Sequence, residues 1–82
     1  MLKLINIIKG EKIIKAEYIP ESSSKKAQIA LDIETQDYTA EEIAEFGSVY
    51  SRMAANGLIR TLEELKNGKR KEVPRERLVM WY

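Results

Sequence analysis

Two runs of alternating character, Leu2-Lys-Leu-Ile-Asn-Ile-Ile8 and Ile13-Ile-Lys-Ala-Glu-Tyr-Ile19, flank the polar stretch Lys9-Gly10-Glu11-Lys12. This pattern predicts a β-hairpin over residues 2–19, and Gly10 at the first central position suits a two-residue type II′ turn. Such a turn pairs Ile8 with Ile13. It then sets Ile5, Ile7, Ile14, Ala16 and Tyr18 on one face and Leu2, Leu4, Ile8, Ile13 and Ile19 on the other, with Asn6, Lys15 and Glu17 between the latter. The first face is the expected core. The same register places Lys9 opposite Lys12, a mildly unfavourable pair of like charges.

Pro20 removes a ladder donor and ends the second run, and Glu21 to Lys26 is a polar connection. From Ala27 to Ile33 the positions Ala27, Ile29, Leu31 and Ile33 alternate with Gln28, Ala30 and Asp32, which predicts a third, half-buried strand. Thr39-Ala-Glu-Glu42 then reads as a capping box and places a helix start near Ala40. Ile43, Phe46, Tyr50, Met53, Gly57, Leu62 and Leu65 recur mostly three and four apart, as one apolar stripe should. Asn67-Gly68 supplies a C-cap, so the pattern predicts one helix over about 40–66. Asn56-Gly57 is a possible break in it, yet the expectation is a continuous helix in which Gly57 lets the backbone lie close to the sheet. Beyond Pro74, Leu78-Val-Met-Trp-Tyr82 is a final β-prone segment.

The elements add up to a single small α+β domain spanning 1–82, with no internal repeat or linker. Its expected form is two-layered: a mainly antiparallel four-stranded sheet, β-β-β-α-β, carrying one long helix on one face. Alternating strand directions and a returning helix set the last strand parallel to the first and give the order 3-2-1-4. The alternative places the last strand beside the third.

Composition then narrows the chemistry. The chain has no Cys and no His, which removes disulfides, thiolate nucleophiles, imidazole bases and the usual zinc ligands. No nucleophile motif or phosphate-binding loop is present either, so the expectation is a non-catalytic protein without cofactor or metal. The N-terminal apolar run is interrupted by Lys3 and Asn6, and no stretch approaches the ~18 apolar residues of a membrane span. A soluble, cytoplasmic protein without membrane contact is expected, since small extracellular domains usually carry disulfides.

The net charge is only +1, but it is segregated: residues 1–31 carry +3, 32–45 carry −6, 46–65 balance, and 66–82 carry +4. The acidic stretch around Asp32, Glu34 and Asp37 lacks the glycine and terminal glutamate of a calcium loop, and acids near a helix start complement its dipole. The basic segment 66–77, with Lys69, Arg70, Lys71, Arg75 and Arg77 followed by Trp81 and Tyr82, combines cations for phosphates with aromatics for stacking. Nucleic-acid binding through that segment is the alternative function. Cations at a helix C-terminus are equally explained by the dipole, so the segment itself is read first as a solvated structural stretch, with protein contacts as a further reading. A small interaction or accessory module is therefore the leading reading. Its partner is another protein, or a second copy in a weak homodimer through Leu2, Leu4, Ile8, Ile13 and Ile19, the hairpin face that no second helix is present to cover.

The ending Pro74-Arg-Glu-Arg-Leu-Val-Met-Trp-Tyr82, with the opening hairpin and the central helix, resembles small uncharacterised proteins of Gram-positive gut bacteria, some found near conjugative elements or prophages. Val79-Met80-Trp81-Tyr82 is the distinctive part. The resemblance implies a compact α+β domain from a mobile-element setting and implies no activity.

Overall fold

The computed structural model describes residues 2–20, 24–41 and 49–79. The chain runs β1 (Leu2–Lys9), β2 (Ile13–Pro20), β3 (Ala27–Asp32), β4 (Tyr38–Ala40), α1 (Val49–Lys66) and β5 (Arg77–Val79). The strands form one sheet in the order β4-β3-β2-β1-β5, every pair antiparallel, with α1 packed on one face. The α+β class, the two layers and the place of the last strand beside the first are as the sequence predicts. The number of strands is five, not four.

The fifth strand is β4, and it overturns the capping-box expectation. Thr39 lies within β4, opposite Ala30, and Glu41 continues the ladder by donating its N–H to the Gln28 carbonyl at 2.9 Å. Glu42 and the expected first helical turns lie outside the described residues. One extra traverse of the sheet reverses the sense of everything that follows, which is why β5 runs antiparallel to β1 rather than parallel.

The hairpin departs from the expected register because β1 contains a bulge. Leu4 pairs with Tyr18 and Ile5 with Glu17, but Ile8 pairs with Lys15 and Lys9 with Ile14, so Asn6 and Ile7 together oppose Ala16. Asn6 has φ 52°, a left-handed conformation that asparagine tolerates better than most residues. The extra residue moves the turn by one position: Gly10 donates to the Ile13 carbonyl at 2.8 Å, and Glu11 and Lys12 form the loop. Gly10 has no positive φ, so the turn is not type II′. Lys9 faces Ile14, not Lys12.

A bulge also inverts which side chains share a face. Before it, Leu2 and Leu4 point into the core, at 1% and 0% exposure; after it, Ile7 does. Two members of the expected outer face are therefore core residues, and Ile5, expected inside, is half-buried on the other side. Ile14, Ala16 and Tyr18 from β2 and Ala27, Ile29 and Leu31 from β3 complete the sheet's contribution to the core, as their spacing predicts.

The described helix is continuous across Asn56-Gly57. Its buried residues are Ser51, Ala54, Ala55, Gly57, Leu58 and Thr61, while Tyr50, Met53, Ile59 and Leu62 pack around the edges. The predicted stripe of large residues thus forms part of the flank, and mostly small residues face the sheet. Gly57 marks the closest approach: a Cβ there would stand 2.6 Å from Val79 Cγ2 and 3.0 Å from Leu4 Cδ1. The helix ends as predicted. Gly68 has φ 77°, Gly68 N–H bonds to the Leu65 carbonyl and Lys69 N–H to the Glu64 carbonyl, a Schellman motif.

Of the final segment, Arg77–Val79 forms the strand; Met80, Trp81 and Tyr82 lie outside the described residues.

Candidate interaction surface

Alternation sends every second residue of the strands to the face opposite α1, and the observed register groups them into rows across the sheet. Ile8, Lys15, Ala30 and Thr39 are successive cross-strand neighbours. Ile5, Glu17, Gln28 and Glu41 form the adjacent row. Ile13 with Asp32 flanks the first row at one end of the sheet, and Leu78, Lys3 and Ile19 flank the second at the other.

No described element covers this face. Ile8 is 65% exposed, Ile13 45% and Leu78 58%. A shallow hollow of about 610 Å³ spans both rows, lined by Ile8, Lys15 and Ala30 on one side and by Glu17, Gln28 and Glu41 on the other. A smaller one of about 220 Å³ adjoins it between Ile13 and Tyr38. Ala30, with its short side chain, lies in the lining beside the longer Lys15 and Gln28. Asn6 Nδ2 donates to Glu17 Oε1 at 2.7 Å, so the bulge residue helps to hold the glutamate at the edge of the hollow. Glu41 is anchored as well, with Oε1 accepting from the Gln28 N–H at 3.0 Å.

Of the hairpin residues expected on an uncovered face, the structure keeps Ile8, Ile13 and Ile19 there and removes Leu2 and Leu4 to the core. Ala30, Thr39 and Leu78 join them, whereas Tyr38, opposite the core residue Leu31, lies on the helix side of the sheet. Thr39 belongs to a strand that three residues of ordinary propensity do not announce, and the alternation over 27–33 already set Ala30 apart from the core positions.

The basic segment is not a free cationic arm. Arg77 donates to both Glu64 carboxylate oxygens and to Thr61 Oγ1, the last at 3.0 Å, and Arg70 Nε donates to Glu64 Oε1 at 2.9 Å. Thr61 in turn donates to the Gly57 carbonyl at 2.9 Å. These bonds hold the Glu64 carboxyl at about 2, well below its ordinary 4.5, the Arg77 bond contributing most and the Arg70 bond next. The intervening chain is tied to the edge of β1, where Ile7 N–H donates to the Arg75 carbonyl at 3.1 Å, and Val73 packs on the core. Lys69, Lys71 and Arg75 remain exposed. The sequence showed the cations, but not that Glu64 would gather two of them.

The acidic stretch serves a turn. Asp32 Oδ1 accepts the N–H groups of Glu34 and Thr35, both at 2.9 Å, and Gln36 takes φ 65° to bring the chain back into β4. The Thr35 bond is the main reason the Asp32 carboxyl lies below its usual value. Among the described residues no group of three or more acidic side chains could hold a metal ion. No helix among them is long and apolar enough to cross a membrane.

No family model, curated protein or solved structure matches the chain.

Proposed function

We propose that this protein is a small, non-catalytic interaction module that binds a protein partner through the uncovered face of its sheet. The observation that carries this reading is the presence of Ile8, Ile13 and Leu78, each at least 45% exposed, on one uncovered face with a shallow hollow at its centre. Apolar residues scattered singly are ordinary on a monomer, whereas a concave patch ringed by polar side chains has the anatomy of a contact surface. The nucleic-acid reading draws less support, because Arg70 and Arg77 are both engaged by Glu64 and the net charge of +1 offers little steering. A cytoplasmic setting accords with the lack of cysteine, and a mobile-element origin rests on the resemblance of the C-terminal residues.

Photo-crosslinking in cells tests the reading. A crosslinking amino acid at Ile8 or Lys15 should give discrete protein adducts, and the same group at the exposed helix positions Arg52 or Asn56 should give none. Adducts absent from the sheet positions, or equal on both faces, would reject it.

A further inference from the structure

The outer face complements itself. Consider an axis lying across the sheet above the row Ile7, Ala16, Ile29 and Ala40, which passes midway between Lys15 and Glu17 on β2. Along that line the row Ile8-Lys15-Ala30-Thr39 lies on one side and the row Ile5-Glu17-Gln28-Glu41 on the other. A two-fold rotation about it brings a second copy face to face and sets each row against the other.

The resulting partners match in charge, polarity and size. Lys15 meets the Glu17 position of the second copy, and Glu17 meets its Lys15. Ile8 meets the Ile5 position and Ile13 the Ile19 position, apolar against apolar. Ala30 meets the longer Gln28 position and Thr39 the Glu41 position, small against large. At the rim, Asp32 meets the Lys26 position, which continues the β2–β3 register opposite Ile19. Because an isologous contact uses the same patch twice, each favourable pair occurs twice.

We infer that the partner of this face is a second copy of the same chain, docked sheet to sheet about a two-fold axis that crosses β2 between Lys15 and Glu17. Aligned sheet packing rotates the two strand directions by about 30°. That rotation displaces rim residues by several ångströms but leaves the pairs beside the axis in register, so Lys15 and Glu17 carry the specificity. Six residue steps along β2 and the three gaps between β1 and β4 give a face of roughly 20 by 14 Å. A face of that extent belongs with the small, transient class of contacts. Its size fits a dimer that dissociates on dilution. The inference rests on the interaction reading above and names its partner.

Sedimentation equilibrium of the purified full chain, from micromolar to millimolar concentration, tests it through charge reversal. The wild-type chain should pass from one copy to two across that range. Lys15→Glu and Glu17→Lys should each weaken dimerisation tenfold or more, since each sets like charges together twice. The doubly reversed chain should return to within about threefold of wild type, and an equimolar mixture of the two single variants should associate although neither does alone. Unchanged circular dichroism and melting temperature would show that the single variants remain folded. A wild-type chain that stays monomeric, or single reversals that leave the dimer intact, would overturn the second copy as partner. If the monomer still gave crosslinked adducts from Ile8 in cells, the interaction reading would stand with a different protein; a monomer without adducts would remove both.

Discussion

The guanidinium of Arg77 on β5 donates to the carboxylate of Glu64 on α1, thirteen residues earlier in the chain, and thereby fastens the last described strand to the helix. Among the described residues three residue pairs join β5 to β1, a short ladder to which this side-chain anchorage adds. Arg77→Ala should destabilise the fold by about 1.5–3 kcal/mol, the range for hydrogen bonds to charged groups. Arg77→Lys should recover only part, because an ammonium cannot reproduce a two-oxygen contact. Urea unfolding would measure both, and amide exchange should quicken first over 77–79.

Acid should release the same anchor. The Glu64 carboxyl is held at about 2 rather than 4.5 in the folded chain. A lowered folded value means that the stabilisation is complete above the unfolded value and is lost as pH falls from about 4.5 toward 2. Glu64→Gln should lower stability at pH 7 and flatten the pH dependence across that window. Melting curves at half-unit intervals would show this; a variant with the same acid slope as wild type would contradict the assignment.

Gly57 is required by the contact of α1 with Leu4 and Val79. Gly57→Ala improves helix propensity by about 1 kcal/mol, but the added methyl overlaps Val79 Cγ2. Overpacking of this kind costs about 1–3 kcal/mol, and the branched Val79 side chain has little freedom to turn aside. A net loss is expected, larger for Gly57→Val. Gly57→Ala combined with Val79→Ala should restore much of it, readable in the same unfolding measurements.

The bulge at Asn6 makes an opposite prediction for neighbouring apolar residues. Leu4→Ala should cost about 2–5 kcal/mol as a buried deletion, whereas Ile8→Ala in the monomer should stay within about 0.5 kcal/mol. A regular hairpin carrying Leu4 on the same face as Ile8 would not separate them so. Asn6→Gly should be tolerated and Asn6→Val should destabilise, because a β-branched residue strongly resists φ 52°.

Local features were legible in the sequence by itself. Period-two alternation over 27–33 marked β3 and its buried face, since strand geometry alone sends successive side chains to opposite sides. The continuity of α1 and its close at Gly68 followed from spacing and cap chemistry, both settled within a few residues. Tertiary structure decided what local pattern leaves degenerate. The adjacent apolar pairs Leu4-Ile5 and Ile7-Ile8 around Asn6 leave either parity open, and packing under α1 selects the one in which Leu2 and Leu4, not Ile5, are core residues. Tyr38–Ala40 is too short to declare itself against the capping signal of Thr39; its strand conformation comes from ladder bonds to β3, and it reverses the direction of β5. The candidate site has the same origin: Lys15, Glu17, Gln28 and Ala30 are present in the sequence as separate letters, but their arrangement into complementary rows depends on a register set by pairing across three loops.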